Sequence, residues 1–211
     1  MTESTQSARD IQPAASCSLV RTIRWIQWVT VAWMTVEVSV ALFAALRAHS
    51  VALAAFAGDS AIELFSAAAV LWRFSSSRER AELTATKITG WLLGTLAAFV
   101  AFQSVYTLLV SESKPRPSYL GIAVLAIAAL VMPWLSLRKR QLAVAANSAS
   151  LRADAAQSSV CAYMSWIALA GLLVNAVAHV PWADPLAALG LLPIILNEAK
   201  EAFEGAACCE S

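Results

Sequence analysis

The sequence predicts an all-α membrane protein, with six transmembrane helices in one bundle and both termini in the cytoplasm. Three observations carry the prediction. Hydrophobic residues make up 59% of the 211-residue chain and charged residues only 14%, at a mean hydropathy of +0.65, whereas a soluble domain has about a quarter of its residues charged. The apolar residues run in uninterrupted stretches long enough to cross a bilayer, about 17–25 residues each, without the polar face that a surface helix of a soluble protein presents. Lysine and arginine gather in alternate breaks between these stretches, the asymmetry that orients spans in a membrane.

Taken in order, residues 1–20 are polar and lack the apolar core and cleavage site of a signal peptide, so they read as a disordered lead. The spans follow near 25–46, 51–72, 88–110, 119–137, 155–178 and 184–203. Each break has a local cause: Arg73 to Lys87 is polar and charged, Ser111 to Ser118 contains Pro115 and Pro117, and Pro181 to Pro185 separates the last two spans. In Trp182-Ala183-Asp184-Pro185, Asp184 suits the N-cap of the sixth helix and Pro185 its first position. Trp182 suits the interface, where an amphipathic indole is favoured, and the motif reads as structural. Residues 21–205 thus form the membrane domain, and 206–211 a short cytoplasmic tail that holds Cys208 and Cys209.

With the N-terminus inside, the cytoplasmic segments carry Arg9, Arg21, Arg24, Arg73, Arg78, Arg80, Lys87, Arg138, Lys139, Arg140, Arg152 and Lys200. The outside loops carry only Arg47, Lys114 and Arg116. The net charge of +1 and the lack of a basic or acidic tail give no reason to expect a nucleic-acid partner. Of the four cysteines, Cys161 lies inside a span and Cys17, Cys208 and Cys209 near the ends, so no disulfide framework is expected. No enzyme is expected either: no nucleophile has a base partner, and no span contains a histidine.

Chemistry concentrates in polar residues at bilayer depth, where a carboxylate costs about 2.5–3.5 kcal/mol on insertion scales. Span two carries Asp59 and Glu63, which a spacing of four puts on one helix face, about 6 Å apart along the axis. Gly58 and Ser60 flank Asp59 with small groups that allow close approach of a neighbouring helix. Two acids this close share a proton or a cation, or are protonated and bonded between helices. Span five carries a second stripe at spacings of three and four: Asp154, Gln157, Ser158 and Cys161. Asp154 stands beside Arg152 and suits an interfacial ion pair. Taken singly, Cys161 suits a small core residue and Gln157 an interhelical hydrogen bond. If this stripe faces the span-two pair, the two carboxylates, the amide oxygen and the thiolate suit a divalent cation of some softness, such as zinc or cadmium. Glu37 in span one lines a pathway, relays a proton or bonds a neighbour. His49 and His179 fall in short outside loops and receive no metal role. The vicinal Cys208 and Cys209 suit metal capture or palmitoylation alike.

Three stretches resemble the transmembrane domain of the cation diffusion facilitator, or cation efflux, family. AHSVALAAFAGDSAIELFSAA resembles its small-residue turn followed by D-S-x-x-D on the second helix. NSASLRADAAQSSVC resembles its S-x-x-L-x-A-D-x-x-H-x-x-x-D, and WADPLAAL its W-x-D-P-x-x-A-L. The similarity runs over about residues 24–205, in helix order. It implies a cation-efflux-like bundle whose metal site takes two residues from helix two and two from helix five. Carried over, these fall on Asp59, Glu63, Gln157 and Cys161, with Asp154 secondary and Glu37 on the pathway. Gln157 stands where the family has histidine, and Cys161 where it has aspartate, a change toward a softer site.

The resemblance further implies a secondary transporter that exports a divalent metal ion in exchange for protons, in the bacterial inner membrane. The chain is similar to the short branch without the family's cytoplasmic metal-binding domain. A homodimer would then form through the helices, for instance through Ala67, Ala68 and Ala69. The alternative expectation is a membrane metal-binding protein that buffers the ion or regulates a partner without transporting.

Overall fold

The computed structural model describes residues 17–73, 80–110 and 115–208, and everything described is helix or short connection. Six helices follow one another: α1 Cys17–Ala48, α2 Val51–Arg73, α3 Arg80–Leu109, α4 Tyr119–Ala145, α5 Ala149–Ala178 and α6 Ala183–Cys208. Each corresponds to one predicted span. Five of them, α1 to α5, are long and apolar enough to cross a membrane. In α6 the apolar stretch is bracketed by Asp184 at one end and by Glu198, Lys200 and Glu201 at the other. The chain is an integral membrane protein.

The helices overrun the predicted spans, and packing explains where. α1 begins at Cys17, so the end of the expected lead is helical. Leu19 there packs on a small satellite cluster of Ile23, Val70, Ala143 and Leu151, which extends the bundle beyond its main core. For the same reason α4 runs on to Ala145, past the Arg138-Lys139-Arg140 run expected to end it. Residues 1–16 of the lead and Cys209 lie outside the described residues.

α2 is the hub. It packs against α1, α3, α5 and α6, while α4 lies along α5 and α3 along α6. The core is rich in alanine: Ala41, Ala44, Ala52, Ala55, Ala128, Ala168 and Ala188 are all buried. Small side chains let helix backbones approach, which matters where lipid gives helices no hydrophobic reason to associate. Two glycines show how closely. A Cβ on Gly58 would lie 2.6 Å from Leu96 Cδ1 of α3, and one on Gly171 would lie 2.4 Å from Ala187 Cβ of α6. The outward surface carries Trp25, Trp28, Trp91, Phe102, Leu130 and Val177, a large apolar exterior suited to acyl chains.

The helix ends are closed by short polar devices. Ser118 and Ser148 accept hydrogen bonds from Gly121 N and Leu151 N, capping α4 and α5. His49 and His179, each at φ 53°, sit just past the ends of α1 and α5, exposed and in the left-handed conformation that ends helices. Asp184 does not cap α6, which begins one residue earlier. Its carboxylate reaches across the bundle to the start of α2, accepting from Ser50 Oγ and from Val51 N at 2.8 Å. Ser50 Oγ in turn accepts from Leu53 N at 3.1 Å. The structural reading of the Trp182-Asp184 motif therefore holds, but the helix being capped is α2.

Candidate metal centre

Helix periodicity places one row of polar residues on the inner face of each central helix. Along α1, Ile23, Gln27, Thr30, Met34, Glu37 and Ala41 recur at spacings of three and four and are all buried. On α2 the corresponding row holds Asp59, Ser60 and Glu63, and on α5 it holds Asp154, Ser158 and Cys161. Asp59, Glu63, Glu37 and Asp154 have no exposed surface at all. The two predicted stripes do face each other.

The polar groups form two adjoining sets. In the first, Ser60 Oγ donates to Glu37 Oε1 at 2.6 Å and lies 3.9 Å from Cys161 Sγ. Cys161 Sγ is also 4.0 Å from Glu37 Oε1, so α1, α2 and α5 meet at this point. Asp59 lies beside the Cys161 thiol, and neither of its oxygens has a well-formed hydrogen bond. Glu37 Oε2 and Glu63 Oε2 are likewise buried without partners.

The second set is centred on a residue that the sequence reading placed at the cytoplasmic surface. Lys139 of α4 is fully buried. Its ammonium lies 3.0 Å from Asp154 Oδ2, 3.4 Å from Glu63 Oε1 and 2.8 Å from Ser158 Oγ. Ser158 Oγ itself donates to Glu63 Oε1 through a short hydrogen bond. Asp154 also accepts from Gln27 Nε2 at 2.8 Å and from Ser66 Oγ at 3.4 Å. The ion pair of Asp154 therefore runs to Lys139 on α4, while neighbouring Arg152 is exposed.

Gln157 is buried, with Nε2 unpartnered. Glu198 of α6 lies within electrostatic range of Asp59 and Glu63, and both its oxygens are buried without partners. Unsatisfied buried polar atoms are uncommon in folded proteins and call for an explanation. Here six of them belong to four acids, Glu37, Asp59, Glu63 and Glu198. Among the described residues no three His, Cys, Asp or Glu side chains are disposed as a coordination shell. The positive charge between Glu63 and Asp154 is the Lys139 ammonium. The side chain of Cys208, and Cys209 entirely, lie outside the described set.

The sequence reading missed Lys139, Gln27 and Glu198. A signal for Lys139 was present: it continues the buried row Ala128, Met132, Leu135 and Ala143, with which Arg138 and Arg140 are out of phase. Glu198 could have been found as an acid near the end of an otherwise apolar span.

No curated protein matches the chain. The sequence model of the Cation efflux transmembrane domain matches residues 28–204. Because that match takes in all six helices and most of the 211 residues, the chain belongs to the cation efflux family, whose members are membrane transporters of cations and not enzymes.

Proposed function

We propose that the protein is a secondary transporter that exports a divalent transition-metal ion, zinc or the softer cadmium, in exchange for protons. The observation that supports this most is Asp59: fully buried, with both oxygens lacking a well-formed bond, beside the Cys161 thiol and the free oxygens of Glu63 and Glu37. Among the described residues, four fully buried acids (Glu37, Asp59, Glu63 and Asp154) and Glu198, whose oxygens are buried, share the region with the Lys139 ammonium. The acids left without a counter-charge, Asp59 foremost, are the groups that would exchange protons for a cation when it arrives.

In this reading Asp59 and Glu63 are the main charge partners of the ion, between α2 and α5. Cys161 supplies a soft thiolate, and Gln157 a weak ligand or an orienting amide. Glu37 and Glu198 stand on the pathway and take protons, and Asp154 is secondary. Alternating access arises by rocking of helices around this fixed point. The termini face the cytoplasm of a bacterial inner membrane, although Lys139 no longer counts toward the loop charges that favour this orientation. Two copies pair through a face of α2 that includes the exposed Ala68, whereas Ala67, expected on the same face, is fully buried and takes no part.

The test is zinc and cadmium flux into proteoliposomes, for wild type and Asp59→Asn. Sustained uptake in wild type, and its loss in a variant that still elutes as a folded protein, is the expected result. Uptake retained by Asp59→Asn would remove Asp59 from the site.

A second reading has its own support in Lys139, which stands where a cation would bind between Glu63 and Asp154. A membrane metal-binding or regulatory protein that does not transport would tolerate such a permanent occupant. Flux separates the two, because a binder saturates while a transporter fills the lumen.

A further inference from the structure

The transport reading leaves the Lys139 ammonium, the positive charge within the acid cluster, without a task. Its surroundings are unequal in a way that points to one. The ammonium has three donors, and the structure uses them on Ser158 Oγ, Asp154 Oδ2 and Glu63 Oε1. The Asp154 side is short, at 3.0 Å, and Asp154 is anchored from behind by Gln27 and Ser66. The Glu63 side is long, at 3.4 Å, and the other oxygen of Glu63 is free. The lysine is thus held firmly on the side away from Asp59 and loosely on the side toward it.

Nor does packing require a charge here. Arg138 and Arg140, its neighbours in the same run, are exposed, and the Arg138 guanidinium lies over the Trp134 ring. Lys139 alone is in phase with the buried row of α4. A buried ion pair contributes little net stability compared with an apolar pair of the same volume, because both charges must be desolvated.

We propose that the Lys139 ammonium is a tethered cation: it neutralises Glu63 in the empty protein and withdraws to Asp154 when a transported ion takes Glu63. The proposal rests on the transport site described above and gives that site its specificity. An incoming monovalent ion only replaces one unit of charge on Glu63 with another, and loses its hydration in doing so. A divalent ion bridging Asp59 and Glu63 gains more than the ammonium gave up. Lys139 therefore weakens all cation binding and weakens monovalent binding most. It acts as a specificity-determining residue through Glu63, not as a ligand.

The experiment measures zinc and cadmium affinity on the full-length chain in detergent, by competition against a calibrated chelator, with potassium varied as monovalent competitor. The variants are Lys139→Met, Lys139→Arg and the paired Lys139→Met with Asp154→Asn. The paired variant removes one charge of each sign, so it frees Glu63 without changing the net charge and without leaving Asp154 buried and unpaired. The expected result is a tenfold or greater gain in zinc affinity in both methionine variants, with a new sensitivity to potassium. Lys139→Arg, which restores a tethered cation, stays within about threefold of wild type. Wild type that binds zinc while the paired variant binds it equally or more weakly overturns the tether and leaves Lys139 a structural pin. Binding of neither zinc nor cadmium by wild type and variants alike overturns the transport reading, and the tether with it.

Discussion

Asp184→Ala distinguishes two accounts of one residue by magnitude. If Asp184 only capped α6, its loss would cost about 1 kcal/mol, the usual value for an N-cap. The structure gives it a larger role. Its carboxylate, 1% exposed, accepts from Ser50 Oγ and from Val51 N at 2.8 Å, with a long third contact to Ala52 N at 3.4 Å. Hydrogen bonds to a charged group contribute about 1.5–3 kcal/mol each. Counting the first two fully and the long one as negligible gives a loss of about 3–6 kcal/mol.

The loss falls on the start of α2, two turns before Asp59, and on the contact that ties α6 to α2. The assay is reversible unfolding in mixed micelles, followed by helical circular dichroism, for wild type, Asp184→Ala and Asp184→Asn. The asparagine variant keeps one of the two acceptor oxygens and loses the charge, and is expected between the other two. A loss of about 1 kcal/mol in Asp184→Ala, or equal losses in both variants, would refute the cross-bundle cap.

Cys161→Ser is expected to lower the preference for cadmium over zinc by tenfold or more while zinc flux persists, since a hydroxyl is a hard donor and a thiolate a soft one. An unchanged ratio in paired uptake measurements would show that the thiol does not touch the ion. Gly171→Ala is expected to destabilise the bundle by about 1–3 kcal/mol, because the added methyl would meet Ala187 Cβ at 2.4 Å. Pairing it with Ala187→Gly should recover most of that loss in the same unfolding assay, and no recovery would mean that α5 and α6 do not pack at this point.

Much of this protein is local and therefore legible along the chain. Hydropathy over a window of bilayer length finds α1 to α5 because lipid demands apolar side chains wherever a helix crosses, and the shorter apolar stretch of α6 is read from its bounding Pro185 and acids. The break at Pro115 and Pro117 and the one at Pro181 stand where the proline ring and the missing N–H would disrupt a helix. Periodicity put Asp59 with Glu63 and Asp154 with Ser158 and Cys161, since residues three or four apart share a helix face whatever lies opposite. Those stripes meet in the structure.

What lies opposite was decided only by the fold. Lys139 reaches Glu63 across 76 positions of sequence, and Gln27 reaches Asp154 across 127. Read locally, Lys139 between two arginines is a membrane anchor, and Asp154 beside Arg152 has an obvious partner at hand. Only when α4 lies along α5 does the ammonium enter the acid cluster, and only when α1 closes on it does Gln27 find Asp154. Asp184 teaches the same at the other end: its neighbours in sequence suggest a cap for its own helix, but its oxygens serve one that starts 133 residues earlier. Hydrophobic length and helical phase are properties of a segment, and a sequence states them directly. The partner of a buried charge depends on which helices pack together, and that is set by the whole bundle at once.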